Sequence, residues 1–347
     1  MGYFRANIEM LDGYVPGEQP TDPRVVKLNT NENPYPPSPR VIEAITGVTA
    51  EQLRRYPPPL GDAFRQAAAE VFGLKPEMIV CGNGMDELLN MTVRALSGPE
   101  AKLVYPTPTY TLYAVLAAVQ ASLVGEVPFG PRYELPFDAL VEAGGRATYL
   151  CNPNSPSGTW VPPDQVAELA RKVRGVLVVD EAYVDFSEAN CLPLATQLPN
   201  VLVLRTLSKG YSLAGLRFGF AVGQPHLIEG LIKVKDSYNV DAISLVAATA
   251  AIRDQEYARR NWQRVREERE RVIAALRALG MDVLPSQSNF VLATITQPSA
   301  ESVYRALKAR NILVRYFKQP RLTDSLRITI GTPEQNDTLL GALRELV

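Results

Sequence analysis

The sequence predicts an α/β fold with a large domain, built around a mostly parallel sheet, and a smaller α+β domain. At 347 residues, the chain exceeds the size at which a single hydrophobic core usually stops growing. From about Ser38 to Tyr238, short β-branched runs alternate with helix-like stretches, a pattern typical of parallel strands joined by crossover helices. After Asp241 the sequence changes to an Ala-rich stretch, a long charged helix and short amphipathic elements, which indicates a separate lobe.

Five short runs are predicted to be strands of the large domain. They cover residues 78–80, 102–105, 148–150, 176–179 and 201–204. The run at 176–179 is apolar throughout, as a strand buried on both faces requires. The order of these runs, each separated by a helix-like stretch, predicts the sheet.

The remaining segments complete a three-part division. Residues 1–34 are rich in Pro, Gly and Asn, which predicts an extended arm that adds a segment to the small domain. Residues 35–238 form the predicted large domain and residues 239–347 the small one. After its Ala-rich start, the small domain contains a charged helix at about 255–279, ended by Gly280. Further elements follow at 290–295, 302–309, 312–314 and 326–330, and a last helix starts at Pro333.

The composition excludes several classes of protein. With 36 Lys and Arg against 37 Asp and Glu, there is no electrostatic reason to expect nucleic acid or a membrane surface as a partner. The three cysteines have no CxxC spacing, which argues against a zinc site and a disulfide framework and favours a reducing cytoplasm. Residues 1–10 do not resemble a signal peptide, and no apolar stretch is long enough to span a bilayer. The single histidine, His226, is expected at the surface near a helix start.

The segment at 206–219, TLSKGYSLAGLRFG, carries the strongest chemical signal. Lys209 follows a predicted strand directly, where a nucleophile is well placed. An amine must be partly deprotonated to form an imine, and burial and a neighbouring cation such as Arg217 both promote this. The hydroxyls of Thr206 and Ser208, with Arg217, could hold a dianionic phosphate. The alternative is a solvated loop with a structural arginine.

A second signal is Asp180, which ends the buried run at 176–179. Ligands bind at this edge of open α/β sheets. A buried carboxylate needs a cationic partner, and a pyridinium nitrogen is a natural one because its charge lets the ring accept electrons. Tyr183 could donate to a phenolic oxygen of the same ring. A strand-ending Asp is also a common metal or ribose ligand, so this element alone leaves the ligand open.

A third signal is the glycine-rich turn at 81–89, CGNGMDELL, which leads from a strand into a helix. Free backbone N–H groups at a helix N-terminus bind phosphate. The turn does not match GxGxxG, so a dinucleotide site is weakly supported, and a plain strand-to-helix turn is the alternative. Tyr110 opens the next helix and could stack on a flat ring, or it is an ordinary core aromatic.

In this order, the motifs resemble those of fold-type I pyridoxal-phosphate (PLP) aminotransferases, with the aspartate-aminotransferase fold, and most closely the histidinol-phosphate aminotransferases. The resemblance extends from residues 11–17 and 28–34 to 326–332. It implies that Lys209 carries PLP as a Schiff base and shuttles a proton, that Asp180 partners the pyridine nitrogen, and that Tyr183 faces the phenolic oxygen. It also implies that Tyr110 stacks on the ring, and that the cofactor phosphate is surrounded by Gly84, Met85, Asp86, Thr206, Ser208 and Arg217.

The resemblance further implies transamination between histidinol phosphate (imidazole-acetol phosphate) and glutamate/2-oxoglutarate in histidine biosynthesis. Arg315 and Arg327 would both face the substrate phosphate, or form structural ion pairs with acids such as Asp324. A homodimer is implied, in which Tyr56 reaches the phosphate of the neighbouring subunit's cofactor. The implied substrate-binding residues are Tyr14, Asn33, Asn289, Arg315 and Arg327.

Two departures from the family pattern stand out. Ser155 replaces the asparagine that normally bonds the phenolic oxygen, so either Asn154 substitutes for it or the contact is weaker. Met85 stands where a small residue is usual, although a backbone N–H contact would survive. The alternatives are an aromatic amino-acid aminotransferase, a decarboxylase of the threonine-phosphate type and, less favoured, a non-catalytic regulator of the same fold, which would need a DNA-binding helix-turn-helix or a lost lysine.

Overall fold

The strands of the protein form three sheets in the computed structural model, which describes residues 2–14 and 16–347. Met1, and Val15 in the turn-rich stretch predicted at 14–17, lie outside the described residues. Every run predicted to be a strand of the large domain overlaps an observed strand. The strands are β1 Val26–Lys27, β2 Ile79–Gly82, β3 Leu103–Thr107, β4 Val124–Pro128, β5 Ala147–Cys151, β6 Val176–Asp180, β7 Val201–Thr206, β8 Gly219–Gly223, β9 Asp282–Val283, β10 Phe290–Thr294, β11 Ile312–Leu313, β12 Arg315–Tyr316 and β13 Ser325–Thr329.

A helix lies between each pair of consecutive strands from β2 to β7, as the alternation in the sequence predicted. The long charged helix predicted at 255–279 and the helix predicted from Pro333 are both present. The helices are α1 Ala6–Glu9, α2 Pro39–Thr46, α3 Ala50–Leu53, α4 Asp62–Phe72, α5 Met85–Leu96, α6 Leu112–Val119, α7 Phe137–Ala143, α8 Pro163–Lys172, α9 Leu192–Gln197, α10 Pro225–Ile232, α11 Ala242–Arg253, α12 Gln255–Ala278, α13 Ala300–Ala309 and α14 Pro333–Arg344. None of these described helices combines the length and apolar character needed to cross a membrane.

The largest sheet has seven strands in the order β2-β8-β7-β6-β5-β3-β4. Strand β8 is antiparallel to both of its neighbours, and the other strands are parallel. Asp180 of β6 pairs with Leu204 of β7, so the carboxyl ends of these two strands lie side by side. The segment that follows β7, which contains Lys209, therefore starts at the same edge as Asp180.

A second sheet of four antiparallel strands, in the order β12-β13-β10-β9, forms with α12, α13 and α14 a separate hydrophobic core. Strand β1 pairs in parallel with β11, so the N-terminal segment joins this C-terminal region. The arm also contains the short helix α1, where an extended chain was predicted. Its Asn7 amide donates a hydrogen bond of 2.8 Å to the Ala118 carbonyl of α6, which holds this helix on the protein body.

Helix α11 follows the boundary predicted at residue 239 but packs with the large domain. Helix α11 packs against α2 and α4, and its buried residues Ala247, Ala248 and Ile252 belong to the core of the large sheet. Small apolar side chains suit this position because they allow the helices to approach closely. We therefore place the junction between the two cores near Asp254, where α11 ends and α12 begins.

Candidate active site

A cavity of about 260 Å³ lies between the carboxyl edge of the seven-stranded sheet and the four-stranded sheet. The N-terminal arm contributes Tyr14 to its wall, the start of α5 contributes Met85, and β13 contributes Arg327. Asp180 and Lys209 lie at the edge of the large sheet. The fold thus brings together residues from four distant parts of the chain.

The amine of Lys209 is held in this cavity by the arm. Its Nζ donates a hydrogen bond of 3.0 Å to the main-chain carbonyl of Thr30. Burial lowers the pKa of Lys209 to about 8, and the positive charges of Arg327 and Arg217 act in the same direction. A substantial fraction of the amine is therefore neutral near physiological pH, as a nucleophile or proton acceptor must be.

Asp180 is buried at the end of β6 and accepts two hydrogen bonds. The Tyr113 hydroxyl donates one of 2.5 Å, and the Ala182 main-chain N–H donates one of 3.1 Å. Burial raises the pKa of Asp180 to about 6. Among the described residues no Lys or Arg forms an ion pair with this carboxylate, so a cation entering the cavity would stabilise it. Tyr113 was not predicted as a site residue, and its one signal in the sequence is that it follows Tyr110 by three positions.

Tyr183 lies beside Lys209, with the lysine Nζ 5.9 Å from the centre of its ring. Its hydroxyl oxygen accepts a hydrogen bond of 3.1 Å from the Asn31 amide. Burial raises the pKa of Tyr183 to about 12, so the hydroxyl is protonated at neutral pH. The sequence analysis did not assign Asn31 a role, although the residue lies within the 28–34 motif.

The start of α5 and the segment after β7 form a pocket suited to a dianion. Gly84, with φ 80°, precedes the first residue of α5, and a Cβ there would lie 2.8 Å from Nη2 of Arg217. Arg217 donates to the Ser208 hydroxyl at 3.4 Å and pairs with Asp86 at 3.1 Å. Thr206 donates to Ser208 at 2.9 Å. Helix N-terminus, guanidinium and hydroxyls together are the donors that a phosphate needs.

Tyr110 lies between this pocket, at the start of α5, and the N-terminal arm. Its hydroxyl donates to Asp86 at 3.1 Å, and its ring meets the Tyr14 ring edge-on at a centroid distance of 6.0 Å. Both tyrosines line the cavity. They provide an aromatic wall for a flat ligand.

Two arginines face each other across the antiparallel pair β12 and β13, since Arg315 is the register partner of Arg327. Arg327 donates to the Ser155 hydroxyl at 3.1 Å and to the Asn29 carbonyl at 3.0 Å, whereas its buried Nε has no partner among the described residues. Burial lowers the pKa of Arg327 and Arg315 adds to the effect, so an anion there would be favoured. No described carboxylate, Asp324 included, forms an ion pair with Arg327.

Five predicted site residues do not line the cavity: Gly84, Asn154, Asn33, Asn289 and Tyr56. The Asn154 amide accepts from Thr109 at 2.8 Å and donates to Ser157 at 2.8 Å, so Ser155 rather than Asn154 faces the cavity. Of the two alternatives for the family asparagine, this arrangement favours the weaker contact over replacement by Asn154. The physical reason is that neighbouring residues of the turn project to different sides.

The other two asparagines support main chain close to the site. Asn33 donates to the Lys209 carbonyl at 3.0 Å, and Asn289 donates to the Asn31 carbonyl at 2.9 Å. Both asparagines therefore support main chain beside the site, and their contact with substrate stays a prediction. Tyr56 also lies away from this chain's cavity. It is 80% exposed and stacks on Tyr238 with ring centroids 4.4 Å apart.

These residues fit PLP. Lys209 would supply the amine for its aldehyde, Asp180 the anion for its pyridinium nitrogen, and Tyr183 a hydroxyl for its phenolic oxygen. The pocket at Arg217 and the start of α5 matches its phosphate. Among the described residues no group of three or more His, Cys, Asp or Glu could hold a metal ion.

Comparison with known proteins agrees with this chemistry. The chain is 51% identical to histidinol-phosphate aminotransferase 1 of Nostoc sp., over 99% of this chain and 98% of that protein. It is 44% identical to histidinol-phosphate aminotransferase of Syntrophotalea carbinolica, over all of both chains. A solved histidinol-phosphate aminotransferase of Sinorhizobium meliloti, in complex with pyridoxal-5'-phosphate, superimposes with a TM-score of 0.89 at 26% identity, covering 100% of this chain and 99% of that one. The family described as aminotransferase class I and II matches residues 23–343. The chain belongs to that family.

Proposed function

We propose that this protein is a PLP-dependent aminotransferase that interconverts histidinol phosphate and imidazole-acetol phosphate, with glutamate and 2-oxoglutarate as the second pair, in histidine biosynthesis. The observation that carries this proposal is the placement of Lys209, with a pKa of about 8, in one cavity with the arginine pair on β12 and β13. An amine-transfer centre and an anion site thus lie within reach of one small substrate. The full-length relatives named above support the same activity.

When bound, PLP supplies an aldehyde that condenses with amines and a ring that accepts the electron pair left at the substrate Cα. Lys209 Nζ would take the proton from that carbon and deliver it to the carbon of the former PLP aldehyde, so that the amino group stays on the cofactor. Asp180, whose charged form burial disfavours, is stabilised by a ring nitrogen that stays protonated. Tyr183 donates to the phenolic oxygen, and Tyr110 supports the ring.

The same two arginines set the preference for a phosphorylated substrate. A carboxylate can satisfy one guanidinium, whereas a phosphate offers oxygens to both. Arg327 already uses two of its nitrogens on Ser155 and Asn29, which fixes the guanidinium and leaves Nε without a described partner. A fixed donor binds an anion at a smaller entropy cost than a mobile one.

Two features of assembly and location complete the proposal. We infer a homodimer in which Tyr56 reaches the cofactor phosphate of the partner subunit; its 80% exposure on this chain supports this role. We also infer a cytoplasmic location. Cys81, Cys151 and Cys191 are all unpaired and buried, which fits a reducing compartment.

Single half-reactions of the holoenzyme test the proposal. Histidinol phosphate, phenylalanine and threonine phosphate would each be mixed with the enzyme, and the loss of the visible absorption band followed. The second-order rate constant of the half-reaction is expected to be highest with histidinol phosphate. A preference for phenylalanine would instead identify an aromatic aminotransferase, release of carbon dioxide from threonine phosphate a decarboxylase, and failure to bind PLP a non-catalytic protein.

A further inference from the structure

Behind Tyr183 lies a chain of buried polar groups that connects it to strand β13. Asn31 is 1% exposed and Thr329 is 3% exposed. The Thr329 hydroxyl accepts a hydrogen bond of 3.0 Å from the Asn31 main-chain N–H and donates one of 3.0 Å to Asn31 Oδ1. Asn31 Nδ2 in turn donates to the Tyr183 hydroxyl oxygen at 3.1 Å.

This chain has a direction, because a hydroxyl group carries a single hydrogen. Thr329 gives its hydrogen to Asn31 Oδ1, so the amide presents its NH₂ group to Tyr183. The Tyr183 oxygen is therefore the acceptor in this bond. Its own hydrogen points away from Asn31 and is available to the cavity that Tyr183 lines.

The backbone keeps Asn31 in place. Its φ of 55° is in the left-handed region, which asparagine tolerates better than most side chains. The fully buried Asn289 donates to the Asn31 carbonyl at 2.9 Å. Buried polar groups are costly to leave unpaired. A flip of the Asn31 side-chain amide would therefore cost the hydrogen bond that the Thr329 hydroxyl donates to Asn31 Oδ1.

We propose that Asn31 and Thr329 are positioning residues that keep the Tyr183 hydroxyl a hydrogen-bond donor to the anionic phenolic oxygen of bound PLP. The inference rests on the proposed function, because it requires that cofactor in this cavity. A donated hydrogen bond stabilises the anion and lowers the pKa of the proton that this oxygen shares with the neighbouring nitrogen. With the amide reversed, Asn31 Oδ1 would take the Tyr183 hydrogen, and the phenolic oxygen would lose its donor.

Other groups around Tyr183 are unchanged in the variants that test this idea. Ser155 accepts a hydrogen bond from Arg327 at 3.1 Å and so also serves the anion site. The charged and titratable groups that influence Tyr183 or contact its ring are Arg327, Asp180, Cys151, Tyr110 and Lys209. A shift seen on changing Thr329 therefore reports on Asn31, whose side-chain amide and main-chain N–H both bond the Thr329 hydroxyl.

The experiment is a pH titration of the visible absorption band of the holoenzyme. Thr329→Val keeps the shape of the side chain and removes the hydroxyl, whereas Thr329→Ser keeps the hydroxyl. The midpoint of Thr329→Val is expected to rise by about one-third to one pH unit, the size of one hydrogen bond. Thr329→Ser is expected to keep the wild-type midpoint. Asn31→Gly, which accommodates the positive φ and removes the amide, should shift it in the same direction if Thr329→Val does not fold.

A double-mutant cycle separates this role from a general structural one. Tyr183→Phe should raise the midpoint by itself, and adding Thr329→Val to it should cause no further rise, because the donor is already gone. Affinity of the apoenzyme for PLP should follow the same pattern. Additive shifts, or an unchanged midpoint in Thr329→Val, would overturn the positioning role and leave the proposed function intact. A wild-type protein that binds no PLP would overturn both.

Discussion

Removal of the Arg315 charge is expected to weaken catalysis with phosphorylated substrates selectively. Arg315 is half-buried and lines the cavity opposite Arg327, its register partner. A charge-assisted hydrogen bond contributes about 1.5–3 kcal/mol, which corresponds to roughly a tenfold to hundredfold change in kcat/KM. Because solvent reaches Arg315 and screens its charge, the lower half of that range is expected.

The assay compares histidinol phosphate with phenylalanine in wild type and Arg315→Gln. The kcat/KM for histidinol phosphate should fall by about tenfold to thirtyfold, whereas the value for phenylalanine should change little. Arg315→Lys should give an intermediate loss, since it keeps the charge but not the planar donor pair. The loss should also shrink as salt concentration rises, because salt screens the remaining charges.

Arg321→Gln is the matched control. It removes an arginine from the same region of the chain, but the Arg321 guanidinium binds the carbonyls of Phe129 and Gly130 at 2.8 and 2.7 Å and does not line the cavity. It should leave the ratio of the two kcat/KM values unchanged. If Arg315→Gln penalises both substrates equally, or wild type prefers phenylalanine, the phosphate-site reasoning is wrong.

Further predictions concern the cofactor site. Lys209→Ala should abolish the borohydride-reducible bond to PLP and nearly all turnover; in wild type, the rate of PLP capture should rise with pH and level off above about 8, because the neutral amine reacts. Asp180→Asn should fold normally but slow proton abstraction by orders of magnitude in single-turnover assays; near-normal rates would reject its role. Tyr113→Phe removes a hydrogen bond that lowers the Asp180 pKa. As the pH falls, Asp180 should therefore become protonated, and PLP binding be lost, at a higher pH than in wild type. Mixing inactive Tyr56→Ala and Lys209→Ala proteins should restore activity through hybrid dimers; no recovery would contradict the shared site.

Local sequence patterns were sufficient to predict the residues at strand ends. Asp180 terminates an apolar run and Lys209 follows another, so each could be placed at the sheet edge without knowledge of the tertiary structure. The partners of these residues could not be predicted in this way. Tyr113 contacts Asp180 across 67 residues, Asn31 contacts Tyr183 across 152 residues, and Thr30 contacts Lys209 across 179 residues. Such contacts depend on how the arm returns to the sheet, which no local periodicity encodes.

The sequence left open whether Asn154 takes the place of the family asparagine, for a related reason. The choice between Asn154 and Ser155 depends on the side to which each side chain projects in the turn. There the Asn154 amide is used by Thr109 and Ser157, and Ser155 binds Arg327. The serine is therefore associated with Arg327, and a contact between Ser155 and the phenolic oxygen of PLP stays a prediction.

The segment Asn29 to Asn31 connects the anion site at Arg327 with the proposed cofactor site at Lys209 and Tyr183. The Asn29 carbonyl accepts from Arg327, the Thr30 carbonyl accepts from Lys209, and the Asn31 amide donates to Tyr183. A neutral amine that gives one hydrogen to Thr30 keeps its lone pair free for the cavity, so this carbonyl orients the nucleophile. Because these three residues are consecutive, a shift of Asn29 when an anion binds Arg327 would also move Thr30 and Asn31, and with them their hydrogen bonds to Lys209 and Tyr183. The arm is therefore part of the active site, although the strand that it adds to the fold, β1, is only two residues long.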